Sequence, residues 1–516
     1  MPVQSPNACA RVAILSALLF SANVSANEFT VTTDIVVQTG QPSPDGNGVF
    51  SDTIQLPVLN DAGEVLIWAN LLATSDPGPL DDWGFFVADR TAVTGVFRGG
   101  EPSAQGNPLR LDPPAVTSST FTRPYGLDAF GRIVLAAPDS LGGYAVYRDD
   151  GIDRQVIAQD GDSTALGTLA DIDATVPGSL RANDAGQASF LAFLSVPDLP
   201  TQDAWLRADS GGSEPLLYSG QALPDGRTVA NLGLLNAVLN NSGRVASTLN
   251  TSGSGLDSGL YASDGDSVVK LLHTGEPAPD GLGTLLGGVV VFPLQQNDSG
   301  KMLAMAQVDD ISQDYVGLFS GSGSGLSEVT RTGALSPDGP ILNLTGQFLI
   351  NDNDTLVFGA VVTTPQGNIE QLIMRRSDVM QPIVSAFSVL PDPIGMEVRS
   401  PFQFVINESD QVMFSAFVLA EGFSRRGLFL FDPEHGLALV ARVGQAFAGD
   451  VIEEIEVALP RPSVAMIYTG NAQNAFNNFG EQAFYYRLQN GQAGVALAAV
   501  EFVPEDSDLL FKDGFE

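Results

Sequence analysis

Short apolar bursts separated by glycine- and asparagine-rich corners set the rhythm of this chain. The cleanest unit is residues 273–331. It opens with the turn Thr274-Gly275-Glu276-Pro277-Ala278-Pro279-Asp280-Gly281, and the run Val289-Val290-Val291-Phe292 follows. Then come a tight loop, Asn297-Asp298-Ser299-Gly300, and three more short runs. Strands are predicted at about 289–293, 302–308, 316–320 and 326–331, because each run has strand length and is too short for a helix. No segment carries a sustained helical stripe.

The opening turn recurs at Gly40, Gly100, Gly161, Gly220, Gly275, Gly333 and Gly444, with a degenerate copy at 388–395. Its fullest form is Pro44-Asp45-Gly46, Pro224-Asp225-Gly226, Pro279-Asp280-Gly281 and Pro337-Asp338-Gly339. Proline sets φ, aspartate bonds its own backbone and glycine accepts positive φ. The tight loop recurs at Asn60, Asp128, Asn183, Asn240 and Asn297, and in weaker forms at Asn351, Asn407 and Asn477. Each loop reads as a hairpin corner. Seven places beyond its first residue stand Ile67, Leu135, Phe190, Ala304, Phe358, Phe414 and Phe484; Ser247 breaks the pattern.

Eight copies spaced about 55 to 61 residues apart predict a repeat architecture. Four strands per copy make each a blade, so the fold class is all-β, an eight-bladed β-propeller. The last copy offers strands at 482–487 and 494–500 and no fourth. Phe29–Gln38 has no blade of its own and is expected to complete the last one, hiding two open edges.

Three segments follow. Residues 1–26 carry one charge, Arg11, then the apolar core Val12 to Phe20 and a small-residue close at Val24-Ser25-Ala26: a signal peptide. Its core is too short to span a membrane. Residues 27–500 are the repeat domain, and 501–516 a tail. Cys9, the single cysteine, precedes the apolar core, so the mature chain forgoes disulfides and thiolate chemistry. A secreted, cell-surface or periplasmic protein is expected.

Lys and Arg total 24 against 60 Asp and Glu, a net charge of −36. Nucleic acid is disfavoured, since phosphate binding needs basic side chains. Anionic lipid is disfavoured likewise, and no membrane insertion of the mature chain is expected. Repulsion between copies predicts a monomer.

A metal centre or a Ser-His-Asp triad would have to use His273 or His435, the only histidines, and both read as turn polar residues. Gly323 stands where a nucleophile elbow in 321–325 would need its serine. The Pro-Asp-Gly turns lack the lysine of a phosphate loop, and no cofactor is expected. Asp81-Asp82, Asp149-Asp150 and Asp309-Asp310 are paired carboxylates of the sort glycoside chemistry uses, though solvated turns account for them equally. Asn351-Asp352-Asn353-Asp354 is the densest oxygen cluster, yet it aligns with the hairpin corners and lacks the spacing of a calcium-binding EF-hand. No catalytic or metal residue is assigned. The leading expectation is a binding or cell-surface module for an extracellular ligand, glycan or protein. The alternative is a carboxylate-based polysaccharide hydrolase or lyase.

The corner with its following apolar pair, best seen as Asn477, Gly480, Ala483 and Phe484, resembles the Asn-x-x-Gly-x-x-Ala-Phe signature of bacterial choice-of-anchor tandem-repeat proteins. Asn183, Gly186 and Phe190 fit with Ser189 in place of the alanine; Asn351 with Phe358, and Asn407 with Phe414, lose the glycine. The ending Phe511-Lys512-Asp513-Gly514-Phe515-Glu516 is similar to a Phe-x-x-Gly-Phe-Glu terminus found on exported bacterial proteins. These resemblances imply a secreted protein with a variable C-terminal sorting signal and imply no activity.

Overall fold

The computed structural model describes residues 29–75, 81–112, 125–173, 180–252, 257–286, 294–323, 325–390, 396–420, 422–457 and 474–502. The expected signal peptide, the tail beyond residue 502 and the predicted strand at 289–293 lie outside them.

Eight small antiparallel sheets form the ring of a β-propeller. We number the blades along the chain: 1 (49–98), 2 (125–159), 3 (168–218), 4 (229–273), 5 (284–331), 6 (335–385), 7 (397–442) and 8 (446–502). In blade 6 the order from axis to rim is Gly339–Ile350, Leu356–Thr364, Gly367–Arg376 and Val379–Ser385. Innermost strands touch their counterparts in the neighbouring blades, which places them around one axis. In blades 1, 3 and 5 the innermost strand comes in two pieces. In blade 5 these are Thr284–Leu285 and Leu294–Gln296, pairing with opposite ends of Met302–Asp309.

Phe29–Gln38 pairs antiparallel with Ala493–Phe502 from Phe29 opposite Phe502 to Gln38 opposite Gly494, and so forms the rim strand of blade 8. The expected closure is present. The rim side of Ala493–Phe502 thereby faces a partner strand instead of open solvent.

Why the apolar runs are continuous rather than alternating follows from the packing. Successive residues of one strand enter different interblade cores. Phe190 and Ala192 join Val134 and Val146 between blades 2 and 3. Leu191 joins Trp205, Leu239 and Tyr261 between blades 3 and 4. A strand buried on both faces reads as unbroken apolar sequence. Each buried Leu or Phe contributes about 1.5–3 kcal/mol. The residues seven beyond the corners fill these cores, from Ile67 to Phe484, and Ser247 is buried among them.

The corners also join the blades. Each asparagine uses both ends of its amide. Its Oδ1 accepts the N–H four residues on, closing its own turn, as Asn240 does for Arg244 and Asn351 for Thr355. Its Nδ2 donates to the backbone carbonyl of the corresponding residue in the next blade. Asn60 reaches Asp128, Asn183 reaches Asn240, Asn240 reaches Asn297 and Asn297 reaches Asn351, at 2.9–3.1 Å. Asn351 reaches Asn407, Asn407 reaches Asn477 and Asn477 returns to Asn60, at 2.9–3.2 Å. Asp128 has no amide to offer. Its carboxylate binds Arg132 at 2.7 Å instead, and the Ala129 N–H crosses to the Asp184 carbonyl at 3.2 Å. In the two copies that lack the glycine, Asp354 and Asp410 take positive φ (63° and 61°), a conformation aspartate tolerates better than most residues.

Candidate functional site

The strand directions put two kinds of loop on each face of the ring. One face carries the asparagine corners. The other carries the Pro-Asp-Gly turns and the loops between second and third strands.

The Pro-Asp-Gly aspartates dock onto the blade that follows the turn. Asp225 accepts a hydrogen bond from the Tyr261 hydroxyl at 3.0 Å, and Asp338 accepts one from the Gln371 amide at 2.5 Å. Asp45 pairs with Arg98 at 2.9 Å, and Asp280 accepts from the Tyr315 hydroxyl. Beside this last contact, between blades 5 and 6, lies a cleft of about 770 Å³. That is within the usual range for a ligand site, about 300–1,000 Å³.

The cleft wall is polar. Gln307, Asp310, Gln313, Asp314, Glu328, Arg331 and Asn343 contribute side chains. The amides of Gln307, Gln313 and Asn343 make no hydrogen bond to any described residue. Arg331 lies over the Tyr315 ring at 4.9 Å, with nitrogens 3.9 Å from Asp280 and 3.8 Å from Glu328. Burial pushes the Glu328 carboxyl up, reinforced by its hydrogen bond to Asp280. Burial acts on Asp280 too, but hydrogen bonds from Tyr315 and the Leu282 N–H, with the Glu328 contact and the charge of Arg331, outweigh it and hold Asp280 below the carboxylate range. Burial and the Asp280 bond raise the Tyr315 hydroxyl. Asp280 is thus the stronger acid of the pair and Glu328 the weaker. Arg331 is committed to these groups and to the tyrosine face.

Most of the residues singled out in the sequence lie elsewhere. His273 is buried in blade 4, its Nδ1 2.8 Å from the Thr274 carbonyl and its Nε2 3.0 Å from the Thr251 hydroxyl. Asp257, at 3.4 Å, approaches that same Nε2, so no relay through the two nitrogens forms. His435 sits 2.8 Å from Asp432 and stacks on Phe502 at 4.9 Å. Of the paired carboxylates, Asp149 binds Arg154 and the Gly151 N–H, while Asp150 accepts from the N–H groups of Ile152 and Asp153. Asp82 accepts from Thr74, Asp81 from Asn47, and Asp310 from Ser312. These five brace turns, and of them Asp310 also faces the cleft; Asp309 ends the strand Met302–Asp309 opposite Thr284. Asn351 to Asp354 form a hairpin corner, and Gly323 lies in the corner after Tyr315–Ser322.

Fold and surface define an eight-bladed β-propeller with a polar interblade cleft. Residues 112–510 match a family described as a family of unknown function (DUF7453), and the chain belongs to it. No curated protein matches the sequence. Among solved structures, dipeptidyl peptidase 4 of Porphyromonas gingivalis is similar at 8% identity and a TM-score of 0.40, covering 88% of this chain and 62% of that one. A puromycin-hydrolyzing peptidase of Mycobacterium tuberculosis is similar at 9% identity, TM-score 0.37, with the same 88% and 62% coverage. The polysaccharide lyase Uly1 is similar at 9% identity, TM-score 0.35, covering 81% and 100%. The chain thus spans about three fifths of either peptidase. No helix among the described residues is long and apolar enough to cross a membrane.

Proposed function

We propose that this protein is an exported binding module that takes a hydroxyl-rich ligand, such as a glycan, in the cleft between blades 5 and 6. The observation that carries the reading is the set of unengaged amides, Gln307, Gln313 and Asn343, around a ligand-sized cleft. An amide offers both donors and an acceptor, which suits hydroxyls that do both. Export rests on the leader pattern of residues 1–26, and attachment on the tail.

The hydrolase or lyase reading has one observation in its favour: Asp280 and Glu328 have their proton affinities pushed apart, as acid–base pairs do. Their mutual hydrogen bond counts against hydrolysis, because glycosidase carboxyls stand about 5–9.5 Å apart with the sugar between them.

A glycan panel probed with the purified mature chain, scored for retention and for released product, separates the two. Retention without product, weakened at least tenfold in Gln313→Ala/Asn343→Ala, is the expected result. Product that disappears in Glu328→Gln would replace binding with catalysis. Retention indifferent to the double substitution would displace the site.

A further inference from the structure

On the opposite face, one step out from the asparagine circle, a second circle runs through the residues that follow it: Asp61, Ala129, Asp184, Asn241, Asp298, Asp352, Glu408 and Asn478. From Asp184 round to Asp61 each offers its backbone N–H to the side chain of the next. Asp184 reaches Asn241, Asn241 reaches Asp298 and Asp298 reaches Asp352. Asp352 reaches Glu408, Glu408 reaches Asn478 and Asn478 reaches Asp61. Where an asparagine intervenes, its amide also donates to a flanking carboxylate: Asn241 to Asp184 and Asp298, Asn478 to Asp61, all at 2.8 Å. Between Asn241 and Asn478 the chain supplies no such spacer. Asp298, Asp352 and Glu408 follow one another directly.

Beneath that arc is an axial cavity of about 60 Å³, room for a few water-sized groups. Asp298, Asp352 and Glu408 line it together with Gln295 and Gln296. Gln295 is 5% exposed, and its amide has no hydrogen-bond partner among the described residues. Both amide atoms of Gln296 are buried and unpartnered. A buried amide without a partner is costly, so unpartnered amides along a cavity wall call for an occupant. Asp298 has spent both oxygens on Asn241. Asp352 and Glu408 each accept a neighbour's N–H, Asp352 also meets the Asp298 carboxyl, and both line the cavity. No three His, Cys, Asp or Glu side chains among the described residues form a ready cage. The oxygens gathered here are mixed, two carboxylates and an amide, with space for water. Calcium accepts that mixture in flexible geometry, whereas magnesium demands a near-ideal octahedron.

We propose that the axial mouth binds a hard divalent cation of the calcium class, held by Asp352, Glu408 and the Gln295 amide. The ion neutralises the unspaced arc and satisfies a stranded amide. This site is independent of the cleft. Thermal unfolding of the chelator-stripped mature chain at pH 8, titrated with calcium chloride, tests it against magnesium and sodium chloride at matched ionic strength. Calcium is expected to raise the Tm progressively and magnesium to do so at least tenfold less effectively. Asp352→Asn and Glu408→Gln, near-isosteric and relieving repulsion, should leave the ion-free Tm unchanged or higher while abolishing the calcium shift. Gln295→Leu should weaken it at least tenfold. No calcium shift in the wild-type chain, an equal shift with sodium, or a shift that survives both carboxylate substitutions would overturn the proposal.

Discussion

The corner asparagines show why one functional group is required and its near twin is not enough. Aspartate can close the turn, as Asp128 does by accepting from the Phe130 and Arg132 N–H groups. It cannot donate to the next blade. Asn240→Ala removes both the turn closure and the link to Asn297, leaving a buried carbonyl without its donor. The expected cost is about 1–3 kcal/mol, read from denaturant unfolding; an unchanged midpoint would mean that the circle does not hold the blades. Glu408 makes the opposite kind of statement. Burial, then the charges of Asp352, Asp298 and Asp410, lift its carboxyl to about 7. The folded chain binds this proton more tightly than the unfolded one. That stabilisation is complete below the unfolded pKa and is lost as the pH rises through about 7. In calcium-free buffer, stability should fall between pH 5 and 8, and Glu408→Gln should flatten that decline. A wild-type curve that is already flat would contradict the assignment.

At the level of the element, much of the fold was legible. The third and fourth strands of blade 5 run Tyr315–Ser322 and Gly325–Arg331 against predictions of 316–320 and 326–331. The closing strand was legible from an arithmetic of strands, one missing at the end and one spare at the start. The asparagine corners are legible as hairpins, but their reach into the neighbouring blade is a tertiary contact with no local signature. A further signal lies in the sequence at Gly84, Gly259, Gly317 and Gly427, each two residues before Phe86, Tyr261, Phe319 or Phe429. The ring folds back over the glycine, and at Gly317 a Cβ would lie 2.6 Å from Phe319 Cζ. The cleft was not legible, because it brings a turn aspartate, a strand arginine and a loop amide together from two blades. Deleting Phe29–Gln38 from the mature chain should lower the Tm and cause concentration-dependent association through the bared edge of Ala493–Phe502. A monomer of unchanged Tm would show that the ring does not depend on this strand.

For the whole molecule, charge and topology act together. A net charge of −36 works electrostatically against the approach of polyanions and of like-charged copies. The ring leaves two unlike faces: a cleft lined by unengaged amides on one, and a carboxylate-rich axial mouth on the other. The histidines and most of the paired carboxylates proved to be braces, so the polar groups left for a ligand are chiefly the amides and carboxylates of loops. The most direct test of the binding account is hydrogen–deuterium exchange of the mature chain with and without a retained glycan. Protection is predicted across residues 310–316 and 331–343, the two walls of the cleft. Protection confined to the asparagine corners, with these segments unchanged, would contradict it.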